Sequence, residues 1–148
     1  MFEPKKIDLD ILSELSRDSR QSFRSIAKRT GVSVSTIIKR VALLQGEGII
    51  KQFTIAIDHP KLGYDYHALV EITTLQEKIN EVEDFLKKRR EVYAIYDVTG
   101  SKDIAILIRT KTREELREFL RTLIAQQGVE KTETRIIFDS LKEEANHF

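Results

Sequence analysis

Gly31 and Ser33, separated only by Val32, punctuate this chain more sharply than any other pair of its residues. Glycine tolerates the left-handed backbone that ends a helix. A serine hydroxyl accepts a hydrogen bond from a free N–H in the first turn of the next helix. Two helices joined by so tight a turn must pack across one another, so each needs an apolar face. FRSIAKRT supplies one before the turn, with Ser22 as cap and Phe23, Ile26 and Ala27 facing inward. SVSTIIKRVALLQ (residues 33–45) supplies the other, because Ile37, Val41 and Leu44 recur at spacings of four and three. Its remaining sides carry Ser35, Thr36, Lys39 and Arg40. Hydroxyls followed by long cations fit a DNA major groove, although an ordinary solvated helix carries the same side chains.

A further helix precedes these two. Asp8 is expected to open it, and Ile7, Ile11, Leu12 and Leu15 form its stripe. Three helices with a glycine turn before the polar, basic one make a helix-turn-helix pattern. Charge agrees with that: residues 1–60 hold 10 Lys/Arg against 7 Asp/Glu, the remainder 15 against 17. The basic part is therefore the part expected to meet nucleic acid. Within it, Lys39 and Arg40 are the leading DNA contacts. Ser35 and Thr36 either meet base edges or phosphates or merely solvate the helix. Lys28, with Arg29, either touches the DNA backbone or complements the helix dipole. Arg24 is a candidate phosphate contact, and Ser33 joins the DNA-facing set through its place at the helix start.

Asp8, Ile11-Leu12, Leu15, Asp18, Arg20, Ile26-Ala27, Val32-Ser33, Ser35-Thr36-Ile37, Arg40-Val41, Leu44 and Glu47-Gly48-Ile49-Ile50 together resemble the Lrp/AsnC family of transcription regulators. The resemblance implies that Ser22 to Gln45 is the DNA-reading unit and Ser33 to Gln45 its recognition helix. Ala42 departs from the family, which often carries a further cation there. IIKQFTIAID then alternates as a strand, followed by the punctuation Asp58-His59-Pro60 and Gly63. The resemblance implies that this linker strand helps tie paired subunits together.

From Tyr66 the pattern reads strand, helix, strand, strand, helix, strand. Tyr66, Ala68, Val70 and Ile72 alternate, then Ile79, Val82, Phe85 and Leu86 form a helical stripe. Strands over Val92–Thr99 and Ile104–Thr110 flank a turn at Gly100-Ser101-Lys102. Leu116, Phe119, Leu120, Leu123 and Ile124 give a second amphipathic helix, and Val129–Asp139 a last strand. This βαββαβ order predicts a ferredoxin-like sheet with both helices on one face. Leu69, Ile95, Leu107, Ile136 and Phe138 are expected on the other face, which would then need a partner, most simply a second copy. Val98-Thr99-Gly100 with Asp103 extends the family resemblance over nearly the whole chain. It implies an amino-acid effector held by Thr99, Gly100 and Asp103, with hydroxyls from Thr132 and Thr134. The same turn is equally explained as a hairpin in which Gly100 supplies positive φ and Asp103 satisfies backbone donors.

The expected architecture is thus α+β: a helix-turn-helix domain over residues 1–48, a strand-containing linker over 49–65 and a βαββαβ effector-binding and oligomerisation domain over 66–148. At 41% hydrophobic and 33% charged, the chain should fold. No apolar run suits a membrane span or a secretory leader, so a cytoplasmic place is expected. Cysteine is absent, which excludes thiolate sites and disulfides. The charge-rich composition, without Cys or Trp, suggests a thermophilic source, and with the resemblance an archaeal one. His59, His67 and His147 lack metal-ligand spacing, no phosphate-cradling glycine motif occurs, and Glu114-Glu115 sit at a helix start. No enzyme, metal or cofactor is expected. The expected partners are double-stranded DNA, a second copy in a homodimer or higher even oligomer, and an amino-acid effector, without a membrane. The alternatives are a small-molecule-binding assembly protein and a broadly binding chromatin-type architectural protein.

Overall fold

The computed structural model describes residues 2–142, so His147 lies outside the described residues. Chain contacts separate two units, one ending at Ile57 and one spanning Asp58–Lys142. The division falls inside the segment read as a linker.

The first unit is built on α1 (Lys6–Arg17), α2 (Phe23–Thr30) and α3 (Val34–Gly46). Helix α1 starts two residues earlier than expected. Asp8 is its N3 residue rather than its cap, and the carboxylate reaches back to accept the Lys5 N–H at 2.7 Å. Helix α2 is capped as expected: Ser22 Oγ accepts the Ser25 N–H at 3.1 Å, and Gly31 ends the helix at φ 73°. Ile11, Leu15, Ile26, Ala27, Ile37, Val41 and Leu44 form one buried cluster, with Phe2, Ile7, Leu12, Phe23, Val32 and Ile50 packed on its margin. Burying each large aliphatic of this set contributes about 1.5–3 kcal/mol.

The expected linker strand does not form in the single chain: residues 51–57 adopt no strand. A strand needs a neighbour for its backbone groups, and this segment pairs with none of the described strands. Phe53, Ile55 and Ile57 are left 46%, 72% and 47% exposed.

The second unit is a four-stranded sheet in the order β2-β3-β1-β4, from β1 (Tyr66–Thr74), β2 (Val92–Asp97), β3 (Ile104–Thr110) and β4 (Val129–Ile137). Each neighbouring pair is antiparallel. Helices α4 (Ile79–Lys87) and α5 (Arg113–Ile124) connect them. Thr112 and Glu115 form a capping box at the start of α5, which accounts for the acidic residues there. Ala68, Val70, Ile72, Ile104, Ile106 and Ile108 join Val82, Leu86, Leu116, Phe119 and Leu123 in the core.

Register corrects part of the expected open face. Ile95 pairs with Ile106 and packs on the core, and Ile136 pairs with Ala68, so both belong to the helix-covered side. Phe138 lies beyond β4 and is 98% exposed. Leu69 and Leu107 do occupy the other side, directly opposite one another. Toward β4 that side turns polar: Arg135 donates to Glu71 and, at 2.6 Å, to Glu133.

Candidate nucleic-acid interface and effector turn

The interface begins at the cap of α3. Ser33 Oγ accepts the Thr36 N–H at 3.1 Å and lies 2.8 Å from the hydroxyls of both Ser35 and Thr36. Ser33 therefore serves first as a helix start and hydroxyl hub. Ile37, Val41 and Leu44 are buried, which turns Ser35, Ile38, Lys39 and Ala42 outward. Thr36 is half-buried at the edge of that face. On α2, Arg24 and Lys28 are exposed one turn apart. Arg24, Lys28 and Lys39 form no ion pair among the described residues. Cations free in this way can meet phosphates without first breaking an internal pair.

Arg40 is different. Its Nε donates to Asp8 Oδ1 at 2.6 Å and its Nη2 to Asp8 Oδ2, so the guanidinium and carboxylate engage in a bidentate fork. Asp8 is fully buried and the Arg40 side chain is 18% exposed. Hydrogen bonding to Arg40 holds the Asp8 carboxyl below the usual carboxylate range, outweighing the burial that opposes it, and Arg40 is raised in turn. Arg40, expected from the sequence to contact DNA, is engaged with Asp8 within the single chain. Its charge is committed inside the domain, because α1 places a buried anion beside it.

Ile38 also stands on the outer face of α3, 50% exposed beside Lys39 and Ser35. Its place is legible in the sequence, since Ile38 is the one isoleucine of α3 that falls off the Ile37, Val41, Leu44 stripe.

The second candidate site centres on the turn between β2 and β3. Gly100 adopts φ 115° with open space where a Cβ would stand, and both it and Thr99 are exposed. Asp103 Oδ2 accepts from the Thr74 N–H at 2.7 Å and from its hydroxyl at 3.3 Å. The Asp103 backbone closes the turn, donating to Ile72 and accepting from Val98, each at 3.0 Å. Within one chain this carboxylate thus works as the hairpin reading predicts. Thr132 and Thr134 lie on β4 opposite Ile72 and Val70 of β1, so β1 stands between them and β3. Lys102, read from sequence only as a turn residue, reaches Glu133 at 3.8 Å and links the turn to β4.

A helix-turn-helix unit with an outward polar-basic face, joined to a four-stranded α+β domain, is the organisation of a two-domain transcription regulator. Residues 5–51 match a winged helix-turn-helix DNA-binding domain, and residues 67–146 match the Lrp/AsnC ligand binding domain. The chain belongs to the Lrp/AsnC family, whose members regulate transcription and are not enzymes. It is 38% identical over 143 residues to an uncharacterised HTH-type transcriptional regulator of Pyrococcus furiosus, covering 97% of each chain. Among solved structures it is similar to AsnC of E. coli, with TM-score 0.92 and 25% identity, covering 98% of this chain and 99% of that one. The same fold occurs in a Neisseria meningitidis transcriptional regulator in complex with L-Met, with TM-score 0.91 and 18% identity over 97% of this chain and 95% of that one. Among the described residues, no helix is long and apolar enough to cross a membrane.

Proposed function

We propose that this regulator binds DNA sequence-specifically as a homodimer or higher even oligomer, seating α3 of each subunit in the major groove. The observation that carries the reading is the outer face of α3. Ser35 and Lys39 offer hydrogen bonds to base edges, and Ile38 offers an apolar surface suited to a thymine methyl group. Arg24 and Lys28 on α2 neutralise phosphates and set the docking angle. Thr36 and Ser33 shape the helix start at the DNA surface. Residues 1–48 act as the reader, residues 49–65 as the connection, and the sheet domain as the part that assembles subunits. The apolar side chains of Phe53, Ile55 and Ile57 support that assembly, as do Leu69 and Leu107 on the uncovered sheet face.

The effector proposed is an amino acid, the class of ligand held by the Neisseria regulator. Thr99 and Gly100 offer exposed backbone and a hydroxyl. Asp103 would have to share with an α-ammonium group a carboxylate that already serves Thr74. Thr132 and Thr134 could join only from across β1 or from another subunit. Such a ligand shifts DNA affinity only by binding one assembly better than the other.

The test is selection of bound fragments from a random duplex pool at two salt concentrations, with and without a mixture of amino acids. An enriched two-fold symmetric site surviving the higher salt is expected. Binding without enrichment, lost steeply with salt, would make the protein an architectural binder instead. A lack of binding under every condition would favour the assembly-protein alternative.

A further inference from the structure

The three buried aliphatics of α3 hold it against the other helices, but apolar contact is non-directional and tolerates small rotations. The Asp8–Arg40 fork is directional. Both carboxylate oxygens are used, Oδ1 by Arg40 Nε at 2.6 Å and Oδ2 by Arg40 Nη2 together with the Lys5 N–H. The anion is thereby tied to the start of α1 as well as to α3. Arg40 follows Lys39 directly and stands one turn beyond Thr36, in the middle of the helix proposed to read DNA. A second carboxylate of α1, Glu14, holds Arg29 of α2 at 2.7 Å. Helix α1 thus grips both helices of the reading unit through ion pairs.

We infer that Asp8 is a positioning residue for DNA recognition, setting through Arg40 the rotation of α3 about its own axis. Side chains lie roughly 5–6 Å from a helix axis, so a rotation of about 20° displaces their tips by about 2 Å. Base-edge hydrogen bonds do not survive that displacement. Attraction between a lysine and a phosphate falls only as the inverse of distance and largely survives it. Loss of the fork should accordingly remove discrimination between sequences and leave general DNA affinity in place.

The inference rests on the sequence-specific reading above, and its test separates the two. The full chain carrying Asp8→Asn, Arg40→Lys or Arg40→Gln is titrated with the selected duplex and with a scrambled duplex across a salt series. The titrations are run at a temperature where the amide NMR spectrum shows each variant folded. Asp8→Asn is expected to weaken binding to the selected duplex about tenfold, with scrambled-duplex affinity and salt slope as in the wild type. Arg40→Lys should shift in the same direction, and the Asp8→Asn/Arg40→Gln double variant should be no worse than the weaker single. If Asp8→Asn does not fold, Arg40→Lys carries the comparison, and undiminished discrimination by it overturns the inference. Asp8→Asn binding as well as or better than wild type, with Arg40→Gln lowering the salt slope by about one, would also overturn it by making Arg40 a phosphate contact. A wild-type protein that fails to prefer the selected duplex refutes the sequence-specific reading itself.

Discussion

Asp8 shows what a single residue can hide from a sequence reading. Its position beside an apolar stripe marks a helix start, and Arg40 reads as a free cation because helical spacing says nothing about what lies opposite. Their meeting, across 32 positions of chain, depends on how α1 and α3 pack. Removing one member of a buried pair strands the other, so Asp8→Ala should cost about 3–5 kcal/mol of unfolding free energy, measured by denaturant titration. The sign of its pH dependence follows from the lowered Asp8 pKa. The pair contributes fully above the ordinary carboxylate value near pH 4, and its contribution drains away as pH falls through the lower, folded-state value. The wild type should therefore lose stability on acidification below about pH 4 more steeply than Asp8→Ala, and equal slopes would contradict the assignment. Asp18, held low by the Arg20 backbone N–H, is more exposed and adds little to that slope. Lys39, with no ion pair among the described residues, belongs to the other category. Lys39→Ala should leave stability within about 0.5 kcal/mol. DNA titrations should show a salt slope reduced by about one if it meets a phosphate.

Whole elements were more legible than single contacts. The helices α2 and α3, their caps and the Gly31 turn, and the βαββαβ order all follow from spacing and punctuation, because local hydrogen bonding and face burial set them. The cap at Ser33 can be tested directly. Ser33→Ala removes an acceptor for the Thr36 N–H and the hydroxyl that gathers Ser35 and Thr36. It should cost about 1 kcal/mol in thermal or denaturant unfolding. What was not legible is which face a strand residue takes once register slips or the partner is missing. Ile95 lies beyond the register shift between Val92 and Ala94, and so returns to the helix-covered side. The linker alternates like a strand but is unpaired in the single chain, because a strand forms only against a neighbour. The effector turn was half legible. Gly100 has the positive φ its place required, whereas the use of Asp103 on Thr74 depends on a contact from β1 that no local pattern encodes.

At the scale of the molecule, the chain presents a helix-turn-helix in one unit and an incompletely covered sheet in the other, with exposed apolar residues leading out of the first. Pairing of two copies would explain these features together. An aspartate in place of Ile55, which is 72% exposed, cannot disturb a core within the chain. Ile55→Asp should nonetheless lower the dimer fraction in analytical ultracentrifugation and weaken operator binding through lost avidity. An unchanged dimer fraction would place the subunit interface elsewhere. The most direct measurement is methylation interference on the selected duplex, which reports guanine N7 in the major groove. Seating of paired α3 helices predicts interference at two symmetric clusters on one face of the DNA, separated by about one helical turn or a multiple of it. Interference confined to adenine N3 in the minor groove, or scattered without symmetry, would contradict a major-groove reading by α3.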